Sequence, residues 1–364
     1  MKILHFTPSF FPAIGGIETV VNTLTSEMAR DTREVIVVCL TKKCISSFNC
    51  SYSTSDKLVS AYYFTHIDLL RYNKLLSLVK LLRSSDVIHI HDPKFALLFI
   101  LAFIFARHKN LFMSTHGGFF HTKRFLMMKR LYSRLWVPFA LKQFTKVFAI
   151  SKNDFLRFSR LSPVNNVLYS PNPVDLNPFN VNPFAHPKSL RRWLYWGRVS
   201  KNKNLFSLLD LIRHMNQNNI MVSLNICSRD SLELLKSYAK KNNLDNVVFH
   251  QNSSDENISR LITASSVFVL PSTYEGFGLT VVEAASSGLI PFVNDISPVN
   301  TLFGDNIGLS VDFKDFSKVV ESFLLFERNF SQNPDLSRVV NSCSLYSPSS
   351  VVLNIIKEYE SPAF

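Results

Sequence analysis

The sequence predicts an α/β protein built from two parallel-sheet domains that face a central cleft, and three observations predict it. The chain has 364 residues, more than one hydrophobic core usually fills, so two domains of ordinary size are expected. Short apolar runs alternate with amphipathic stretches along the whole length, the pattern of parallel strands joined by crossover helices. Between two such series lies YSPNPVDLNPFNVNPFAHPKS, residues 169–189, with five of the 16 prolines. Proline fixes φ and removes a backbone donor, so this segment reads as a linker.

Taken in order, the first domain (1–170) has predicted strands at KILHFT, REVIVVCL, DVIHIH, NLFMSTH and KVFAIS. The linker spans 171–189. The second domain (190–346) restarts with WLYWGRV, MVSLNIC, NVVFHQ, SVFVLPS and LIPFVND, and the tail, 347–364, is expected to return to the first domain as a helix. In open parallel sheets ligands sit beyond the carboxyl ends of strands, so the loops after these strands are where chemistry is expected.

Composition narrows the function. With 46% hydrophobic and 18% charged residues both domains can bury a core. The formal charge of +13 is unevenly placed: residues 1–170 carry 23 Lys and Arg against 9 Asp and Glu, and the rest 17 against 18. Such asymmetry predicts an anionic partner for the first domain. No helix-turn-helix, zinc or RNA-recognition signature is present, so an anionic membrane surface is expected rather than nucleic acid. The five cysteines show no C-x-x-C spacing and read as structural thiols of a reducing compartment. The N-terminus lacks the apolar core of a signal peptide, and the greasiest run, Phe95–Ala106, falls short of the ~20 residues a spanning helix needs.

Five strand ends carry candidate chemistry. After the first strand, Gly15-Gly16 opens a helix with Glu18 in its first turn; glycine lets a ligand approach the backbone, and the helix start offers unpaired N–H groups to phosphate. The alternative is a tight turn without a ligand. The strands DVIHIHDP and FMSTHGGFFHT end in His89, His91, His116 and His121. His89 and His91 project to one face, but no carboxylate or cysteine stands at ligand spacing, so no metal site is expected and His89 reads as a structural histidine. His116 precedes Gly117-Gly118 at a strand end, where a side chain can reach a ligand.

In the second domain YWGRVSKNKN places Arg198 and Lys203 just past a strand, as cations able to flank a diphosphate, whereas Lys201 reads as a solvated turn residue. Finally, VFVLPSTYEGFGLTVVEAASSGLIP sets Glu275 in a loop and Glu283 on the following helix, with glycines that let helix-start amides meet phosphate while the carboxylates accept bonds from hydroxyls.

These motifs together resemble the Glu-x7-Glu signature of the family 4 glycosyltransferases, retaining enzymes of the two-domain GT-B fold. Pro271, Ser272, Gly276, Phe277, Gly278, Glu283, Ala284, Gly288 and Pro291 stand in register, and GGIE, THGG, SPNPVD and GRVSKNK follow in family order. The resemblance implies that Arg198 and Lys203 hold the donor diphosphate, Glu275 the sugar hydroxyls and Glu283 the ribose. The amides of Gly276, Phe277, Gly278 and Leu279 would meet the sugar and phosphate. His116 would contact the donor sugar near the reacting carbon, and Gly16 would leave room for acceptor and phosphate. It further implies front-face transfer without metal or other cofactor, and no Asp-x-Asp occurs in the chain. The chain departs from the family pattern at Pro173, at the SRD turn after LNIC and at HQN 250–252. THGGFFHTKRF resembles the GDP-mannose-dependent enzymes of lipid-linked exopolysaccharide assembly. GDP-mannose is therefore the expected donor, with a UDP-sugar or a nucleotide-sugar epimerase of the same fold as alternatives.

The stretch KRFLMMKRLYSRLWVPFALKQF predicts an amphipathic helix. At about 100° per residue Phe125, Met128, Leu131, Tyr132, Leu135 and Trp136 share a face, with Lys123, Arg130 and Arg134 opposite. With Arg124 these residues are expected to meet a membrane and a polyprenyl-diphosphate-linked saccharide acceptor. That places the protein in the cytoplasm, peripheral on the inner face of the membrane. The alternative is a helix packed on the core with a solvated basic face.

Overall fold

The structure is a computed structural model, and the residues it describes are 1–13, 15–30, 33–41, 49–54, 57–65, 71–92, 110–116, 126–185, 189–303, 307–332 and 335–361. It divides into two compact units, Met1–Val174 with Pro348–Phe364, and Asp175–Ser347.

The first unit holds β1 (Lys2–Thr7), β2 (Glu34–Thr41), β3 (Asn49–Thr54), β4 (Lys57–Thr65), β5 (Val87–His91), β6 (Asn110–Ser114), β7 (Lys146–Ala149) and β8 (Val167–Tyr169). They lie in the spatial order β3-β4-β2-β1-β5-β6-β7-β8, parallel throughout except for the antiparallel β3–β4 pair. Its helices are α1 (Gly16–Ala29), α2 (Tyr72–Ser84), α3 (Leu126–Leu141) and α4 (Lys152–Leu161).

The second unit holds β9 (Arg192–Trp196), β10 (Ser223–Ser228), β11 (Val247–Gln251), β12 (Val267–Leu270), β13 (Ile290–Asn294) and β14 (Leu309–Val311). Their order, β11-β10-β9-β12-β13-β14, is all parallel. Its helices are α5 (Leu205–Gln217), α6 (Glu233–Lys241), α7 (Asp255–Thr263), α8 (Leu279–Ser286), α9 (Phe316–Gln332) and α10 (Leu336–Ser342). The core is aromatic, with Trp193 edge-on to both Phe292 and Phe323 at ring-centroid distances of 5.2 Å.

The last helix, α11 (Pro348–Glu360), belongs to the first unit. Side chains alternate across a strand, so each face of the first sheet has its own set. Leu4, Phe6, Ile36, Val38, Ile88 and Ile90 pack against α2, α3 and α4 through Leu78, Leu82, Val137, Leu141 and Phe158. On the other face Ile3, Val37, Val87, Phe112 and Phe148 pack against Val21, Leu24 and Met28 of α1 and Val351, Ile355, Ile356 and Tyr359 of α11. Among the described residues one helical run, 336–360, is long and apolar enough to cross a membrane. Its second half is α11, and that half fills this core instead.

Four strands have no counterpart in the expected series: β3, β4, β8 and β14. Two of them, β8 and β14, are three residues long, too short for any periodicity, and β3 has the sequence NCSYST, which holds no apolar run. Phe95–Ala106 lies outside the described residues.

Helix α3 corrects the expected amphipathic face. Tyr132 and Trp136 pack against the core of the first unit, and Val137 and Leu141 are buried in it. Leu131 and Leu135 stand 61% and 66% exposed, in a stripe with Met127 at 84% and Phe139 at 48%. The stripe follows the i, i+4 spacing, so the apolar residues fall on two faces, one turned to the core and one to solvent. Trp136 thus belongs to the inner face and Arg134 is exposed. Lys123 and Arg124, with His121, lie outside the described residues, and of Arg130 only the backbone is described.

Candidate active site

In the second unit the loops after β9 and β12 are stitched together. Gly197 leaves β9 at φ +149°, a region that favours glycine. The Tyr195 hydroxyl then donates to the Arg198 carbonyl at 2.7 Å, and the Val199 N–H to Asp230 Oδ2 at 2.7 Å. A short turn, residues 201–203, follows. The Asn202 carbonyl accepts from the Thr273 N–H at 2.8 Å, Asn202 Nδ2 donates to the Tyr274 carbonyl at 3.2 Å, and Asn204 Nδ2 to the Pro271 carbonyl at 3.3 Å. Out of this frame Lys203 Nζ meets Glu275 Oε1 at 2.6 Å, their side chains only 13% and 10% exposed. Pairing at that distance with little water around it is a charge-assisted bond that holds both side chains in place. Arg198 is exposed beside them along the chain, as is Lys201.

Gly278 starts α8 at φ +100°, and a Cβ there would stand 2.6 Å from Val299 Cγ1, so no other residue fits without strain. Phe277 is buried and packs edge-on to Tyr346, whose hydroxyl is bonded to the Leu302 carbonyl. Gly276 is open, with no atom within 4 Å of where a Cβ would be. Leu279 is the first residue of α8, and Val281, Val282, Ala284 and Ala285 bury its inner face.

Glu283 stands on the remaining face. Burial pushes its pKa up to about 7, the Trp196 indole opposes that rise and the Asp175 charge adds to it. The indole N–H has no partner at hydrogen-bond geometry among the described residues, so it acts on the carboxyl as a nearby dipole. Asp175 lies in the SPNPVD segment and Trp196 ends β9, so the sequence held both in motifs already singled out; the unread signal was that they meet Glu283.

In the first unit Gly16 is the first, exposed residue of α1, and Glu18 folds back over Gly15, where a Cβ would come 2.5 Å from its Oε2. His116 follows β6 at φ +43°. Its neighbour Thr115 is fixed by an N–H bond to the Phe148 carbonyl at 3.1 Å and a hydroxyl bond to Asp154 Oδ2 at 2.5 Å. His116 Nε2 lies 2.9 Å from His91 Nδ1, and His91 Nε2 lies 3.0 Å from His5 Nδ1. His89 is held by Ser114 Oγ at 2.8 Å and by the Tyr359 hydroxyl, which bears out its structural reading. Burial lowers the pKa of His5 to about 3 and those of His89 and His91 well below the usual value. His5, His89 and His91 bring ligand atoms within 4.8 Å of one another, yet both nitrogens of His89 and of His91 are already bonded. The alternation of the strand puts only His89 and His91 on one face; His5 and Tyr359 join them through the fold, and nothing local in the sequence marks either.

The model described as Glycosyltransferase Family 4 matches residues 14–178, and that described as Glycosyl transferases group 1 matches residues 178–337. Over 304 residues the chain is 30% identical to the GDP-mannose:cellobiosyl-diphosphopolyprenol alpha-mannosyltransferase of Xanthomonas oryzae pv. oryzae, covering 82% of this chain and 80% of that protein. The chain belongs to the family 4 glycosyltransferases. Within that family it is also 25% identical, over 69% of each chain, to the UDP-Gal:alpha-D-GlcNAc-diphosphoundecaprenol alpha-1,3-galactosyltransferase of Escherichia coli. The solved structure of HepE from Anabaena in complex with UDP superposes with a TM-score of 0.77 at 18% identity, covering 98% of this chain and 99% of that one. A family 4 glycosyltransferase of this kind is a hexosyltransferase with two Rossmann-like domains, the GT-B fold.

Proposed function

We propose that this glycosyltransferase moves mannose, with retention, from GDP-mannose onto a polyprenyl-diphosphate-linked saccharide at the cytoplasmic face of a membrane, in the assembly of a surface polysaccharide. The observation that carries the reading is the 30% identity to an alpha-mannosyltransferase named for that donor and a diphosphopolyprenol acceptor. The second unit supports the donor half. In this reading Arg198 and Lys203 hold the diphosphate and offset the charge that grows on it as the sugar–phosphate bond breaks. Glu275, held by Lys203, takes sugar hydroxyls; the amides of Gly276 to Leu279 face the sugar and phosphate; Glu283 takes the ribose hydroxyls. His116 serves the donor sugar and Gly16 the acceptor side. The acceptor hydroxyl attacks the face the phosphate leaves, and its proton passes to the departing phosphate oxygen. The two cations do the work a divalent metal otherwise would, so transfer is expected to survive chelation.

The exposed stripe Met127, Leu131, Leu135 and Phe139, beside the exposed Arg134, supports the membrane half. An apolar stripe with a cation beside it suits an anionic lipid interface.

The test offers GDP-mannose, UDP-galactose and UDP-glucose, each with chelator, and a polyprenyl-diphosphate disaccharide. The expected result is one added hexose, α-linked, from GDP-mannose only, reduced by at least about 10²-fold in Lys203→Ala. A UDP-sugar reading is favoured by the galactosyltransferase relative and the UDP-bound neighbour, and product from a UDP-sugar alone would replace mannose with it. A converted sugar formed without acceptor would instead mark an epimerase.

A further inference from the structure

The sheet of the first unit buries three imidazoles, His5, His89 and His91, with the part-buried His116 in contact, and His5, His91 and His116 form a line. His5 pairs with His89 across β1 and β5, so both side chains, and His91 two residues on, share the face covered by α1 and α11. The line runs His5 Nδ1, His91 Nε2 at 3.0 Å, then His91 Nδ1, His116 Nε2 at 2.9 Å. His89 stacks on His91 at a centroid distance of 4.4 Å and is itself anchored to Ser114 and Tyr359, so the middle ring cannot swing away.

A neutral imidazole has one N–H and one bare nitrogen. In an N–H···N bond one partner must donate and the other accept. If His5 donates from Nδ1, His91 accepts at Nε2, must carry its own proton at Nδ1 and donates to His116 Nε2, which leaves His116 protonated at Nδ1. If the order is reversed, all three rings carry the proton at Nε2. Mixed arrangements leave two N–H groups, or two lone pairs, facing each other at about 3 Å inside a low-dielectric core, where an unmade bond is costly. A charged ring would relax the constraint, but burial keeps His5 and His91 neutral around pH 7. His5 Nε2 has no partner among the described residues, so the chain ends there and nothing beyond it competes.

We infer that His5 and His91 are positioning residues for His116: a one-way chain in which His5 and His91 share a single tautomer and so set the orientation of His116 and whether its Nε2 accepts or donates. The effect on transfer rests on the function proposed above; the chain itself does not.

The test is therefore made first without any ligand. The full-length protein, with histidines labelled by ¹⁵N, is examined near pH 7.5 for couplings across the N–H···N bonds and for the nitrogen shifts of each ring. The expected spectrum shows two inter-ring couplings, His5–His91 and His91–His116, and one tautomer common to His5 and His91. Absent couplings, or His116 in a different tautomer from His91, would overturn the proposal. So would stoichiometric binding of added Zn²⁺ that shifts His5, His89 and His91 together, which would make the cluster a metal centre. Two variants add a readout that simple loss of packing does not move. In His91→Phe the His116 ring is expected to populate both tautomers. In His91→Asn, whose amide sits where Nδ1 did, one tautomer returns, and with it most of the turnover, the donor KM staying nearly constant in both. If no donor supports transfer yet the couplings are present, the function fails and the chain stands.

Discussion

Glu283 is the residue whose chemistry depends most on where it sits. A carboxyl raised from 4.5 to about 7 in the folded protein binds more protons there than in the unfolded chain across that interval. Stability attributable to Glu283 must therefore fall as pH rises from about 4.5 to about 7 and level off above it. Glu283→Gln, neutral throughout, is expected to lose this slope: between pH 5 and pH 8 its unfolding free energy should drop less than that of the parent, by up to about 3 kcal/mol. Denaturant melts at the two pH values measure the difference, and equal slopes would show the carboxyl to be solvated. Lys203 and Glu275 are tied to each other at 2.6 Å, so a change at one is read at both.

At the scale of elements, α3 is the helix whose two apolar faces have different jobs. Its inner face, with Val137 and Leu141, is core. Its outer stripe is exposed, so polar replacement there should leave stability within about 0.5 kcal/mol. The double change Leu131→Gln with Leu135→Gln is expected to abolish co-sedimentation with vesicles rich in anionic lipid while the melting temperature holds. Vesicle binding unchanged in that variant would remove the membrane role from α3.

At the scale of the whole molecule the chain crosses between units twice, since residues 348–364 return to the first after the second is complete. Val351, Val352, Ile355, Ile356 and Tyr359 are all buried against the first sheet. Each such side chain is worth about 1.5–3 kcal/mol. Together they rival the about 5–15 kcal/mol that holds a whole domain. A chain ending at Ser347 is expected to leave the first unit open to proteolysis while the second survives digestion intact; protection of both units would show that α11 is dispensable. The basic balance of residues 1–170, 23 cations against 9 anions, also belongs to this scale.

Much of this was legible in the sequence, because its causes are local. Ten strands announce themselves by apolar runs between turn residues, and the proline-rich stretch marks where one series stops and the other begins. Gly278 and Glu283 could be read off one segment because the glycine must take φ +100° and the acid lies on the helix that follows. The weak points were also local: three-residue strands such as β8 and β14 have no period to detect, and the periodicity over α3 gave Leu131, Tyr132, Leu135 and Trp136 one face where the helix has two. What only the tertiary structure decided is which distant residues meet. His5 and His91 are 86 positions apart, Lys203 and Glu275 72, and His89 and Tyr359 270. Periodicity states which face a side chain takes, whereas its partner depends on strand order, register and the return of α11. Those follow from burying both sheet faces at once, a condition satisfied by the folded chain as a whole and by no segment alone.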